Sequence, residues 1–202
     1  MLISAVFFDY DGVLTMDKTG SQTTAKFISQ ELNIPYRKIE KAIKRRNSEL
    51  TLGEITYNDI WLDFCSEIGR EVDIGILKNA FASTPKNNKM FELAGELKKY
   101  YKIGIITDNK KDRIDLLKGQ QKLDILFDSI IVSAEIGSDK SDSRIFDIAL
   151  QKFNVKPKNC IFIDNQEKNL IVPREMGFVT ILHDDSINNL EYLKNKLKKY
   201  EY

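Results

Sequence analysis

Five short, uninterrupted apolar runs limit most strongly how this 202-residue chain can fold. They are Ala5-Val6-Phe7-Phe8, Ile103-Gly104-Ile105-Ile106, Ile130-Ile131-Val132, Ile161-Phe162-Ile163 and Val179-Thr180-Ile181-Leu182. Each is too short for a typical helix and is rich in β-branched or aromatic residues. Alternation of apolar and polar residues would mark strands wetted on one face. Continuous apolarity marks strands covered on both faces, as in a parallel sheet. Between the later runs the spacing changes. Phe146, Ala149, Leu150 and Phe153 fall at i, i+3, i+4 and i+7, one face of a helix. Leu190, Leu193 and Leu197 start another such stripe, with Lys194, Lys196, Lys198 and Lys199 on its polar positions, where positive charge suits a helix C-terminus. Strands alternating with helices predict an α/β fold, a parallel sheet core with helices on both faces.

The second run comes late. Residues 17–86 separate it from the first and read as helical throughout. Phe27, Ile28, Leu32 and Ile34 mark one helix, ended near Pro35, and Ile39, Ala42, Ile43 and Arg46 a next. Trp61, Leu62, Phe64, Cys65 and Ile68 mark a third, closed by Gly69, and Ile74, Leu77, Ala80 and Phe81 a fourth. The segment Leu52-Gly53-Glu54-Ile55-Thr56 reads as a turn before a helix start. Pro85, Asn87 and Asn88 mark the return. The expected organisation is a core of residues 1–16 and 87–202 with a helical bundle, residues 17–86, inserted after the first strand.

Composition narrows the class of function. The net charge of +1 gives no general attraction to nucleic acid or to an anionic membrane. No apolar run is long enough to span a bilayer. The apolar start, Met1 to Phe8, is shorter than a signal peptide and runs straight into acidic residues. Cys65 and Cys160 are far apart and lack metal-ligand spacing, so both are expected as buried thiols in a reducing cytoplasm. Nothing requires more than a monomer, with a weak dimer as the alternative.

The chemistry is carried by strand ends. Asp9 and Asp11, two apart, lie just past the first apolar run, and Gly12 lets the chain turn sharply. In open α/β sheets ligands bind at that edge. A carboxylate there can attack phosphorus, and a second can protonate the leaving oxygen and later deprotonate water. An acidic surface turn is the plain alternative for these residues alone.

Asp9-x-Asp11-Gly12-Val13-Leu14-Thr15 resembles the first motif of the haloacid dehalogenase superfamily, and three further stretches resemble its later motifs in order. Ile105-Ile106-Thr107-Asp108-Asn109 resembles the second, Gly137-Ser138-Asp139-Lys140-Ser141-Asp142 the third, and Ile161-Phe162-Ile163-Asp164-Asn165-Gln166-Glu167-Lys168-Asn169 the fourth. The resemblance implies a Rossmann-like core with the insertion as a helical cap of the first cap class. It implies Asp9 as nucleophile, Asp11 as acid and base, and Lys140 as the charge-neutralising lysine. Thr107, with Asp108 and Lys140, would face the phosphoryl group. Mg²⁺ would be held by the Asp9 side chain, the Asp11 backbone oxygen, Asp164 and Asn165. Taken alone, Thr107 could merely end a strand, Asp108 could be a solvated turn residue, and Lys140 could be an ordinary exposed lysine. His183, the only histidine, is expected to be structural.

Three positions depart from the pattern. Asn165 stands where many members carry a second acid, Asp108 where Asn or Gly is usual, and Ser141 where Pro is common. Arg45 and Arg46 are candidate contacts to anionic substrate groups, with a solvated helix face as an equal alternative, and with Glu49 and Glu54 they are candidate selectivity residues of the cap. The implied function is a magnesium-dependent phosphatase of a small phosphorylated metabolite, with sugar phosphates as a loose parallel. A 2-haloacid dehalogenase, a phosphomutase and a non-catalytic binding or regulatory module are the alternatives. The dehalogenase generally lacks the second aspartate, so Asp11 argues against it.

Overall fold

The structure is a computed structural model that describes residues 2–200. Five parallel strands form one sheet: β1 (Ala5–Phe8), β2 (Lys102–Thr107), β3 (Ser129–Val132), β4 (Cys160–Asp164) and β5 (Val179–Leu182). Their spatial order is β3-β2-β1-β4-β5, which puts β1 at the centre. Because all strands run the same way, their C-terminal ends share one edge. Asp9, Thr107 and Asp164 are brought together there although about a hundred and fifty residues separate the first from the last.

The continuous apolar pattern is explained by two cores, one on each face. Val6 and Phe8 of β1 point into a core shared with the helices Asn88–Leu97, Lys111–Gln121 and Leu190–Leu197. Ala5 and Phe7 point the other way, into a core with the helix Ser143–Phe153. Phe7 meets Phe153 edge-on at 4.6 Å between ring centroids. At the edge strand β5 the coverage fails and Leu182 is exposed.

The insertion holds α1 (Gly20–Leu32), α2 (Tyr36–Lys44), α3 (Asn47–Leu52), α4 (Tyr57–Ile68) and α5 (Ile76–Ala82). They close on an apolar core of their own, in which Trp61 stacks on Phe64 at 4.6 Å and donates its indole N–H to the Val72 carbonyl at 2.7 Å. The turn expected before α4 is present. Gly53 ends α3 at φ +72°, and Thr56 donates its N–H and hydroxyl to Asp59 Oδ2, both at 2.7 Å. The short α3 was not expected. Arg46, assigned from sequence to the preceding helix, has φ −116° and ψ 28°, which breaks the run and lets Asn47 begin a new turn.

The two chain crossings between insertion and sheet lie side by side. Thr15 and Lys86 form an antiparallel bridge, Met16 donates to the Pro85 carbonyl at 2.9 Å, and the Asn87 side chain donates to the Val13 carbonyl at 3.0 Å. Cys65 and Cys160 are buried and unpaired. Among the described residues no helix is long and apolar enough to cross a membrane.

Candidate active site

After β1 the chain makes one wide helical turn, Tyr10–Leu14, closed by the Thr15 N–H on the Tyr10 carbonyl at 3.1 Å. Asp11 and Gly12 leave helical geometry inside it, Gly12 at φ +78°. A side chain at Gly12 is excluded twice. The φ is left-handed, and an added Cβ would lie 2.0 Å from Asn165 Nδ2. The glycine therefore lets the turn after β1 lie against the end of β4.

Asp9 Oδ1 accepts from the Tyr10 N–H at 2.7 Å and from Lys140 Nζ at 2.7 Å. The same ammonium reaches Asp164 Oδ2 at 2.7 Å. Lys140, which in sequence has no mark of burial, is 1% exposed. Burial works against its charge, but the carboxylates of Asp164, Asp9 and Asp108 outweigh it and hold its pKa above the ordinary lysine range. Burial and the neighbouring Asp164 push Asp9 well above the usual carboxylate range, with Lys140 opposing them. Asp164 is fully engaged: Oδ1 accepts from the Gln166 N–H at 2.8 Å, and Asn169 Nδ2 lies 3.1 Å from each oxygen. Asp164 thus anchors Lys140.

Thr107 ends β2, is buried, and its hydroxyl accepts from Asn109 Nδ2 at 3.3 Å. Asp108 is partly buried, which raises its pKa, and its Oδ1 accepts from the Lys140 backbone N–H at 3.0 Å. It fixes the loop that delivers Lys140 as well as facing the cleft. Asn165 sits on Gly12. Its Nδ2 donates to Asp185 Oδ2 at 3.0 Å, while its Oδ1 is buried without a hydrogen-bond partner. His183 is buried, and burial lowers its pKa.

Four further residues line the same cleft, none of them assigned a role from the sequence: Asn109, Arg113, Asn47 and Lys110. Asn109 donates to Asp11 Oδ2 at 2.7 Å. Arg113, in the helix Lys111–Gln121, donates through Nη2 to Asp11 Oδ1 at 2.8 Å and through Nη1 to Oδ2 at 2.9 Å. Asn47, at the start of α3, accepts from Lys110 Nζ at 2.6 Å. Asn109 closes the stretch that resembles the second motif but was given no role there, and no motif marks the other three; their place is seen only once the insertion is folded over the sheet edge. The candidates Arg45 and Arg46 lie instead on the exposed side of the insertion, paired with Glu67 and Glu49.

The cleft encloses about 300 Å³ between Asp9, Asp11, Thr107 and Lys140 below and Asn47, Thr51 and Tyr57 of the insertion above. A more apolar cavity of about 580 Å³ adjoins it, and Tyr57 and Lys110 line both. The insertion is held down near the cleft by the Ser133 hydroxyl, which donates to the Thr51 carbonyl at 2.7 Å. Close by, an added Cβ on Gly53 would stand 2.2 Å from the Ala134 carbonyl oxygen.

Burial, then the charge of Arg113, pulls Lys110 from 10.5 down to about 8. An unfolded lysine keeps its proton to higher pH, so between these two values the unfolded state binds more protons and stability rises with pH. Below that window the native state carries the full cost of the buried charge. Relative to Lys110→Met, the wild type should gain on the order of 2–3 kcal/mol between about pH 7 and about pH 10.5. Urea unfolding of both proteins across that range checks this. Parallel profiles would show that Lys110 titrates as it does in water.

A sequence model described as a haloacid dehalogenase-like hydrolase matches residues 3–177. The chain belongs to this hydrolase family. The matched stretch includes β1 to β4 and the turn after β1. Among curated proteins, bifunctional epoxide hydrolase 2 of Rattus norvegicus is 26% identical over 217 residues, covering 96% of this chain. This chain spans 39% of that relative's length. Among solved structures, a haloacid dehalogenase family enzyme of Bacteroides thetaiotaomicron, in complex with magnesium and inorganic phosphate, superposes with a TM-score of 0.75. It is 19% identical, covering 95% of this chain and 98% of that one. The L-2-haloacid dehalogenase of Xanthobacter autotrophicus with chloropropionic acid covalently bound gives a TM-score of 0.70 at 17% identity, covering 99% and 84%. At these identities the two structures establish the shared fold.

Proposed function

We propose that this hydrolase is a magnesium-dependent phosphatase of small phosphorylated metabolites, with Asp9 as its covalent nucleophile. The observation that carries the reading is the second carboxylate, Asp11, fixed two residues from a nucleophile that Lys140 contacts at 2.7 Å. A dehalogenase has no leaving oxygen to protonate and no use for that second acid. An alkyl phosphate needs one, because an alkoxide leaves poorly. Asp9 attacks phosphorus, the P–O bond to the leaving group breaks, and Asp11 gives its proton to the departing oxygen. Asp11 then takes a proton from the water that cleaves the aspartyl-phosphate. Lys140 offsets the repulsion between the Asp9 carboxylate and the anionic substrate, and the Thr107 hydroxyl orients a phosphoryl oxygen. The volume of the cleft suits a small ligand.

The donor set fits magnesium. Among the described residues no group of three or more His, Cys, Asp or Glu could hold a metal ion. Mg²⁺, however, keeps several waters and needs few protein oxygens. The Asp9 carboxylate, the Asp11 backbone oxygen and the unpartnered Asn165 Oδ1 are hard oxygen donors of that kind, with Asp164 beside them. Bound there, the ion would neutralise charge on the transferring phosphoryl group. Hydrolysis of 4-nitrophenyl phosphate and of a set of phosphorylated metabolites, with Mg²⁺ and with EDTA, tests the reading. Turnover unaffected by EDTA, or release of halide from 2-haloacids in place of phosphate, overturns it.

Asn165→Asp is a sharper probe of the metal. It would set a second carboxylate where an amide now donates to Asp185 at 3.0 Å. In EDTA the variant should melt below the wild type, because like charges face each other. With Mg²⁺ the order should reverse, and half-maximal activity should need on the order of tenfold less metal, about 1.4 kcal/mol. If Mg²⁺ leaves the gap in melting temperature unchanged, residue 165 does not face the ion.

A further inference from the structure

Arg113 is a charged side chain at 1% exposure that none of the four motifs accounts for. Both oxygens of Asp11 are occupied by its two terminal nitrogens in a bidentate pair, the geometry in which guanidinium fixes a carboxylate most firmly. Asn109 completes the clamp from both sides: its Nδ2 donates to Asp11 Oδ2 at 2.7 Å and its Oδ1 accepts from Arg113 Nη1 at 3.0 Å. Arg113 also touches both passages of the chain between sheet and cap. Nη2 donates to Thr84 Oγ1 at 3.2 Å on the return passage. On the outward passage, Gly20 packs so closely that an added Cβ would lie 2.5 Å from Nη1.

A purely structural ion pair would be a costly way to hold this place. Burying a guanidinium is expensive, and Nε has no partner at all. The cost has a use if the carboxylate must stand in one orientation over the leaving group. We propose that Arg113 is the positioning residue of the proton shuttle: it fixes the Asp11 carboxylate in the cleft and ties that orientation to the two cap passages. This role rests on the phosphatase reading. It implies that Arg113 matters in proportion to how much proton the leaving group needs.

The test compares an alkyl phosphate, glycerol 3-phosphate, with 4-nitrophenyl phosphate, whose phenolate departs without protonation. In Arg113→Lys the charge stays and the fork is lost. kcat on the alkyl ester should fall by at least about thirtyfold and on the aryl ester by no more than about fivefold, with KM for both little changed. Gly20→Ala leaves Arg113 and Asp11 in place and presses a methyl group on the guanidinium, so it covers the case in which Arg113→Lys does not fold. It should show the same imbalance at smaller amplitude. In an Asp11→Asn background neither change should alter the alkyl-to-aryl ratio further. Equal losses on both esters, or a ratio that still shifts without Asp11, would overturn the positioning role while leaving the phosphatase reading intact. Absence of hydrolysis of either ester by the wild type with Mg²⁺ would overturn both.

Discussion

Asp9→Asn should abolish turnover and at the same time leave the protein at least as stable as the wild type. The amide is a very poor nucleophile toward phosphorus, so no aspartyl-phosphate forms. The stability follows from burial. The pKa of Asp9 is raised above the 3.8 of an unfolded aspartate, so the native state holds its proton to higher pH than the unfolded chain does. Stability is therefore lost as pH rises through that interval, and the cost is fully present above it. The amide carries no such cost, and Lys140 keeps its contact with Asp164 at 2.7 Å. A gain of about 1 kcal/mol would raise the melting temperature by roughly 2–4 °C for a chain of this size. Kinetics and thermal unfolding of the same preparations check both halves. Recovery of labelled phosphate on a residue other than Asp9 would sink the assignment.

Lys140→Met should have the opposite effect on stability. It removes the ammonium that touches both Asp9 and Asp164, leaving two buried carboxylates near each other. Breaking a buried pair from one side costs about 3–5 kcal/mol, because the remaining charge stays desolvated. Turnover should be lost as well. Adding Asp164→Asn to Lys140→Met should return a large part of the stability and none of the activity, since the amide relieves the repulsion but cannot neutralise phosphate. If the double variant is no more stable than the single one, the cost lies in lost packing of the lysine stem.

The sheet was readable because its strands, apart from the edge strand β5, are buried on both faces, and that leaves an unbroken apolar signature. Three of the proposed site positions were readable for a related reason, since Asp9, Thr107 and Asp164 end or directly follow apolar runs, whereas Lys140 was singled out only by the motif it resembles. Arg113, Asn109 and Lys110 escaped because a basic or amide side chain following a strand looks the same whether it is solvated or buried. Only the cap above them decides which. Arg45 and Arg46 show the converse, since of their two readings, an anion contact and a solvated helix face, the second matches their place in the fold. Two adjacent arginines suggest an anion site, but the break at Arg46 turns both to the outside, where Glu67 and Glu49 take them. The departure at Asp108 also became intelligible only in three dimensions, since its carboxylate receives the backbone N–H of Lys140, thirty-two positions away.

The cap meets the sheet domain in two unlike ways. Beside α5, Leu116 packs among the cap's apolar residues and Gln120 donates to the Ala82 carbonyl at 3.0 Å. Beside α3, the closure is polar: Thr51 to Ser133, Asn47 to Lys110, and the bare face of Gly53 on Ala134. Water can replace each of those hydrogen bonds, at a net cost of about 1 kcal/mol apiece, but it cannot replace the apolar contact. The α3 edge should therefore open at lower cost than the α5 side, where the apolar contact and the paired passages at Thr15 and Lys86 hold the insertion. Amide hydrogen exchange should report the difference, with faster exchange along the α3 edge than along α5.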